Sequence, residues 1–178
     1  MQTPWGQSQW KRKVIPGVNF YATAGHGGLK VFKRLNALIP DNLRKEDCFY
    51  EEDCEYCIPY MFIPALKEKD PKGYSNALES FKTWYPYDYE KLFDVVLQPG
   101  ASFKKDEDNF LKENANNWIV IAAVSIGNNK VNCLATIGGQ RTIYKNGVRF
   151  CKAEKKEFII DKYEYDTRSR FGYVIKNL

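Results

Sequence analysis

The chain has 178 residues, 44% of them hydrophobic and 15% aromatic, enough for one domain whose core needs no metal or disulfide. That apolar content excludes a disordered tail or linker. The 27 Lys and Arg against 22 Asp and Glu leave a formal charge of +5, which permits contact with nucleic acid without demanding it. No run nears the roughly 20 apolar residues of a membrane-spanning helix. The opening Met1-Gln2-Thr3-Pro4-Trp5-Gly6 carries no charged and apolar signal regions, so an intracellular protein is expected.

In chain order, Lys13 to Ile15 and Val18 to Ala24 read as two strands around a Pro16-Gly17 turn, because β-branched and aromatic residues stand where a half-buried sheet wants them. Gly25-His26-Gly27-Gly28 follows, a loop whose glycines permit positive φ and close approach to the backbone. Val31, Leu35, Leu38 and Ile39 recur at helical spacing before Pro40-Asp41. Glu51 to Leu66 predicts a helix with Cys54, Ile58, Met61, Phe62 and Ala65 on one stripe and its acids in the first turn, where the helix dipole favours them. Pro59 and Pro64 predict a kink or early end there. Ser75 is read as the cap of a helix to Trp84, with Ala77, Leu78, Phe81 and Trp84 facing inward. Asp88 to Phe93 reads as another turn, and Asp106 as the cap of Glu107 to Asn114.

From Trp118 onward Val, Ile, Thr and Tyr dominate and turn signals recur. Trp118 to Ile126 and Lys130 to Ile137 flank Gly127-Asn128-Asn129, and Arg141 to Lys145 and Val148 to Cys151 flank Asn146-Gly147; both predict antiparallel hairpins. Glu157 to Ile160 and Phe171 to Ile175 are further expected strands. The continuous apolar run Trp118 to Val124 predicts a central strand covered on both faces. The expected fold is α+β, a single domain over residues 1–178, with a mainly antiparallel sheet (the C-terminal half plus the N-terminal hairpin) covered by short helices.

Charge is unevenly spread. Glu46, Asp47, Glu51, Glu52, Asp53 and Glu55 crowd one segment that would repel phosphate, whereas the excess of Lys and Arg lies beyond Gly138, where any polyanion contact belongs. The five cysteines, Cys48, Cys54, Cys57, Cys133 and Cys151, read as free thiols of a reducing compartment. Cys48, Cys54 and Cys57 with His26 would make a zinc set, but a structural zinc site usually shows two Cys pairs and the second is absent. Trp5 and Trp10 beside Lys11, Arg12 and Lys13 mix stacking rings with cations.

Thr3-Pro4-Trp5-Gly6, Gly25-His26-Gly27-Gly28, Tyr50-Glu51-Glu52-Asp53-Cys54-Glu55, Trp84-Tyr85-Pro86 with Tyr89-Glu90, and Phe110-Leu111 with Asn117-Trp118 together resemble, over about Thr3 to Gly139, a family of uncharacterised domains carried by bacteriophages, plasmids and integrative elements. Cys57 and Pro59 depart from its pattern, and of the clustered cysteines Cys54 alone matches. The resemblance implies an accessory protein of a mobile element, acting in the cytoplasm of a bacterial host, and carries no established activity or cofactor.

His26 with Glu51, Glu52 and Asp53 is the candidate catalytic set, since one imidazole beside carboxylates serves as general acid or base or joins them around Mg²⁺ or Mn²⁺. The plainer alternative is a structural histidine beside helix-capping acids. Gly25, Gly27, Gly28, Tyr50, Glu55, Trp84 and Tyr85 are candidate binding residues, aromatic side chains being enriched at binding hot spots. No nucleophile elbow or phosphate loop is present. The expected function is binding of a host macromolecule, a host protein, with defence against foreign DNA as the target class. The alternatives are a metal-assisted hydrolase or nuclease built on His26 and Glu51 to Glu55, and nucleic-acid binding through the basic C-terminal strands.

Overall fold

The computed structural model describes residues 1–141 and 153–175, with residues 144–145 and 148–149 as backbone. It is α+β, and its contacts divide it into two compact units, Met1–Lys104 and Lys105–Leu178.

The first unit opens with a small hairpin of β1 (Gln2–Thr3) and β2 (Gly6–Gln7). A four-stranded antiparallel sheet follows, ordered β3 (Trp10–Ile15), β4 (Val18–Ala22), β5 (Gly27–Val31) and β6 (Phe49–Glu51). The Pro16-Gly17 turn joins β3 to β4 as expected, with Gly17 at φ +87°. Because side chains alternate across a strand, Ile15, Val18, Leu29, Val31 and Tyr50 share the buried face, where they meet Ile58, Ile63, Leu66, Ala77 and Phe81 of the helices. Each fully buried large side chain there contributes about 1.5–3 kcal/mol.

The helices differ in several places from their sequence reading. α1 (Lys33–Asn36) is a single turn, and Val31 belongs to β5, because the glycines before it and the strand behind it draw it into the sheet. The expected Glu51 to Leu66 helix is cut at both ends of its reading: Glu51 closes β6, residues 52–56 form a turn, and helix begins only at α2 (Cys57–Phe62). Pro59 is tolerated in that first turn, where its missing N–H would be unpaired anyway. Pro64 starts a new helix, α3 (Pro64–Lys69). α4 (Pro71–Trp84) is capped by Asp70 and not by Ser75, and it is followed by α5 (Pro86–Phe93). Trp84 is turned outward, 44% exposed, contrary to its inward assignment, because Phe81 and Ala77 already fill the buried stripe.

The second unit begins within α6 (Phe103–Glu113). Its sheet has the order β11 (Lys155–Asp161), β8 (Lys130–Ile137), β7 (Trp118–Gly127). The β7–β8 hairpin turns on Asn128 and Asn129, both at positive φ, which suits a type I′ turn. The expected central strand is corrected: β8 is central and β7 lies outside it, with Val124 68% exposed. Hydrophobicity alone did not distinguish a covered strand from a half-open one. Phe171 to Ile175 supplies isolated bridges, Ile119 to Val174 among them, and no named strand. β9 (Tyr144–Lys145) and β10 (Val148–Arg149) pair antiparallel; Asn146, Gly147 and Cys151 lie outside the described residues. The chain continues from β11 into α7 (Lys162–Tyr165). Val131, Cys133, Ile160 and Tyr173 form this unit's core.

Asp70 links the cap to the helix packing: Gly73 N–H donates to its Oδ1 at 2.9 Å and the Tyr60 hydroxyl to its Oδ2 at 2.8 Å. These bonds hold its carboxyl below the usual carboxylate range. A depressed folded-state pKa stabilises the fold above the unfolded value near 4 and loses that contribution as pH falls through the folded value. Asp70→Ala is therefore expected to cost about 1 kcal/mol at neutral pH and to flatten the acid limb of a urea-unfolding series.

A second prediction comes from the sheet face opposite the core. A Cβ on Gly28 would stand 2.2 Å from Trp5 Cη2 and 2.4 Å from the Tyr50 carbonyl oxygen. Gly28→Ala is expected to destabilise by about 1–3 kcal/mol, whereas Gly25→Ala, whose Cβ meets nothing within 4 Å, leaves the denaturation midpoint close to that of the parent.

Candidate functional site

The β4–β5 hairpin presents His26. Its turn is closed by Thr23, whose hydroxyl donates to the His26 carbonyl at 2.8 Å and accepts from the His26 N–H at 3.1 Å; Thr23 N–H also donates to that carbonyl at 2.7 Å. One residue later the chain enters β5, whose Gly28 lies opposite Glu51 of β6. The pairing brings together residues 25 positions apart. His26 Nδ1 stands 4.0 Å from Glu51 Oε1, with side-chain exposures of 60% and 18%.

Glu51 is held on one side and unsatisfied on the other. Its Oε2 accepts from the backbone N–H of Asp53 at 2.8 Å and of Cys54 at 3.3 Å, so the carboxylate closes the turn that follows β6. Its Oε1 is buried and, among the described residues, has no hydrogen-bond partner. A buried carboxylate oxygen in that condition carries a desolvation cost, and the 4.0 Å gap to the imidazole is an ion-pair distance, too long for a hydrogen bond. His26 can supply the missing donor, since a small movement of the exposed ring brings an Nδ1–H into hydrogen-bond range. An imidazole oriented by a carboxylate is the arrangement general acid–base chemistry uses, though here it stands on an open hairpin.

The glycines serve this corner by size, not by φ. Gly25, Gly27 and Gly28 all lack the positive φ expected of them. Gly27 and Gly28 are strand residues, and a Cβ on Gly27 would meet Glu52 Oε2 at 2.5 Å and Phe20 Cζ at 2.6 Å. The close approach is made by the chain's own side chains: Glu52 and Phe20 over Gly27, Trp5 over Gly28. Trp5 also meets Phe49 edge-on, 5.8 Å between ring centroids.

The remaining candidates separate by burial. Glu52 and Asp53 are exposed. Glu55 braces the turn, accepting from Lys45 Nζ at 2.5 Å and from the Glu51 N–H at 3.2 Å. Tyr50 is a core residue, fully buried, whose hydroxyl donates to Asn36 Oδ1 at 2.6 Å and accepts from the Lys45 N–H at 3.1 Å; burial pushes it up to about 12. Burial, together with Glu51, Glu55 and Asp53, raises the Cys54 thiol, which disfavours a reactive thiolate. Cys57 is buried and donates to the Cys54 carbonyl at 2.9 Å, while Cys48 points to the Glu46 carbonyl. The zinc set does not assemble: among the described residues no group of three or more His, Cys, Asp and Glu is gathered to hold a metal ion.

Trp84 and Tyr85 part company at the α4–α5 junction. Tyr85 stacks on Phe81 at 5.5 Å and 22°, and burial raises its hydroxyl. Trp84 stays partly exposed and tilts against Phe103. Beyond it the end of α5 and the segment that follows display Leu92, Phe93, Val95 and Val96, the last 76% exposed. Sequence reasoning missed this surface; the available signal was an apolar cluster directly after a helix end. In the C-terminal unit, Lys162 and Arg168 pair with Asp166, and Arg170 with Asp106, so these three cations are already matched.

Among the described residues no helix is long and apolar enough to cross a membrane. No curated protein and no solved structure gives a significant match to the chain. Residues 1–115, the whole first unit and α6, match a family described as a domain of unknown function, DUF7007, and the chain belongs to that family.

Proposed function

We propose that the chain is an accessory protein of a mobile genetic element that binds a host protein, with a component of defence against foreign DNA as the target class. The exposed apolar surface from Trp84 to Val96 carries the reading. Four large side chains, Leu92, Phe93, Val95 and Val96, are at least 39% exposed within five residues, and a concentration of exposed apolar side chains is the feature from which interaction sites are built. Trp84 supplies the residue type most enriched at hot spots. The motif resemblance supplies the mobile-element setting.

Affinity capture from lysates of several bacterial hosts tests it. The intact protein and His26→Ala are expected to retain one stoichiometric host protein, and the surface variant Leu92→Lys/Val96→Lys to lose it by about thirtyfold or more. Recovery of no such partner from any host, or equal capture by the double variant, overturns the reading.

A second reading is favoured by the unpartnered Glu51 Oε1 beside His26: metal-independent acid–base hydrolysis, with the carboxylate orienting the imidazole. Phosphodiester cleavage of DNA or RNA in the presence of EDTA would then fall by about a hundredfold or more in His26→Ala and Glu51→Gln, with host-protein capture unchanged. Absence of cleavage by the parent protein ends this reading.

A further inference from the structure

β3 is the outermost strand of its sheet, paired on one side with β4 and, among the described residues, with no strand on the other. An outer strand of this kind offers a row of backbone donors and acceptors to an incoming chain. Beside it runs α3, which packs against β3. Between them lies an open groove of about 520 Å³, lined by Lys13, Val14, Ile15, Ala65, Glu68 and Lys69. A bulge at Val14 interrupts the β3–β4 register, and such bulges re-aim side chains at sheet edges.

The chemistry of the edge selects its occupant. Lys11, Arg12 and Lys13 stand exposed on three successive positions of β3, and Lys69 adds a fourth cation across the groove, where Glu68 is the lining carboxylate. Asp70 is held at the start of α4 by Gly73 and Tyr60 and is also within electrostatic reach of Arg12, which it partly matches. A second copy of this edge would set cations against cations, a repulsive arrangement that discriminates against self-pairing. The alternation of strand side chains sends Lys11 and Lys13 to one face and Arg12 to the other, so no continuous stacking platform for nucleic-acid bases is formed with Trp10.

We propose that the β3–α3 groove binds an extended acidic segment of a partner protein, which adds a strand to the β3 edge, seats apolar side chains in the groove and pairs its carboxylates with Lys11, Arg12, Lys13 and Lys69. This is strand addition, in which main-chain bonds supply affinity and alternate side chains supply specificity. It is independent of the Trp84 to Val96 surface.

The test uses the full chain and three probes: a fluorescein-labelled peptide alternating glutamate and valine, the same peptide N-methylated at alternate residues, and oligothymidylate. The glutamate–valine peptide is expected to bind, to weaken with rising salt, and to lose about tenfold or more in affinity with Lys11→Glu/Lys13→Glu. Amide hydrogen exchange is expected to slow across residues 10–14. The N-methylated peptide is expected to fail, because it cannot complete the ladder. Equal binding of the N-methylated peptide, binding unaffected by the double variant, retention of oligothymidylate in place of the peptide, or no peptide binding at low salt each overturns the proposal. A circular dichroism melt of the double variant matching the parent shows that the loss is one of recognition and not of folding.

Discussion

The register of β5 against β6 is the constraint on which the rest of the first unit depends. With Gly28 opposite Glu51 and Leu29 opposite Tyr50, alternation sends Tyr50 and Leu29 into the helix-covered core and Glu51 to the other face, beside the hairpin that ends in His26. A slip of one residue would exchange the two, burying a carboxylate among Ile58, Leu66 and Phe81 and expelling the hydroxyl that binds Asn36 and Lys45. Gly28 protects the register sterically: Trp5 and the Tyr50 carbonyl occupy the volume of any side chain. The placement of Glu51 beside His26 and the packing of the core are thus two sides of one strand pairing.

The unsatisfied oxygen of Glu51 does not arise from a loose loop. The other oxygen of the same carboxylate is fixed by two backbone donors, and Glu55 ties the turn to Lys45 and back to Glu51. Buried polar atoms almost always find a partner, so an exception in a well-braced turn calls for one. His26 is a neighbour able to provide it through an Nδ1–H, its exposed ring needing only a small movement to do so.

Much of this was legible in the residues. The Pro16-Gly17 hairpin and the strands on either side of Asn128 and Asn129 follow from turn chemistry and alternation, whereas the meeting of His26 with the Glu51 segment rests on the motif resemblance alone. What misled were features whose meaning depends on tertiary neighbours. Glycines suggest positive φ, yet Gly27 and Gly28 are there because Trp5, Phe20 and Glu52 need their space, and nothing local to Gly25-His26-Gly27-Gly28 records those residues. Acids before an apolar stripe resemble helix capping, but Glu51 was captured by β6 and closes a turn instead. Asp70 outcompeted Ser75 as a cap because Pro71 begins a helix while Ser75 lies inside it. Trp118 to Val124 is uniformly apolar, yet it borders β8 from outside, a distinction that hydrophobicity cannot encode.

The two edges of the first sheet differ in a way that bears on what can bind there. β6, at one edge, is three residues long and runs into the acidic turn; β3, at the other, is six residues long and basic. Opposite charge at the two edges of one sheet would invite copies to add head to tail, the open-ended arrangement that makes filaments. The brevity of β6 opposes it, since three residues supply too few ladder bonds to offset the entropy of association, and the turn from Glu52 ends the strand before it can lengthen. A longer acidic segment from another chain meets no such limit. The same charge that keeps β3 from pairing with itself therefore leaves it open to a partner of opposite sign, and edge protection and recognition become one property of Lys11, Arg12 and Lys13.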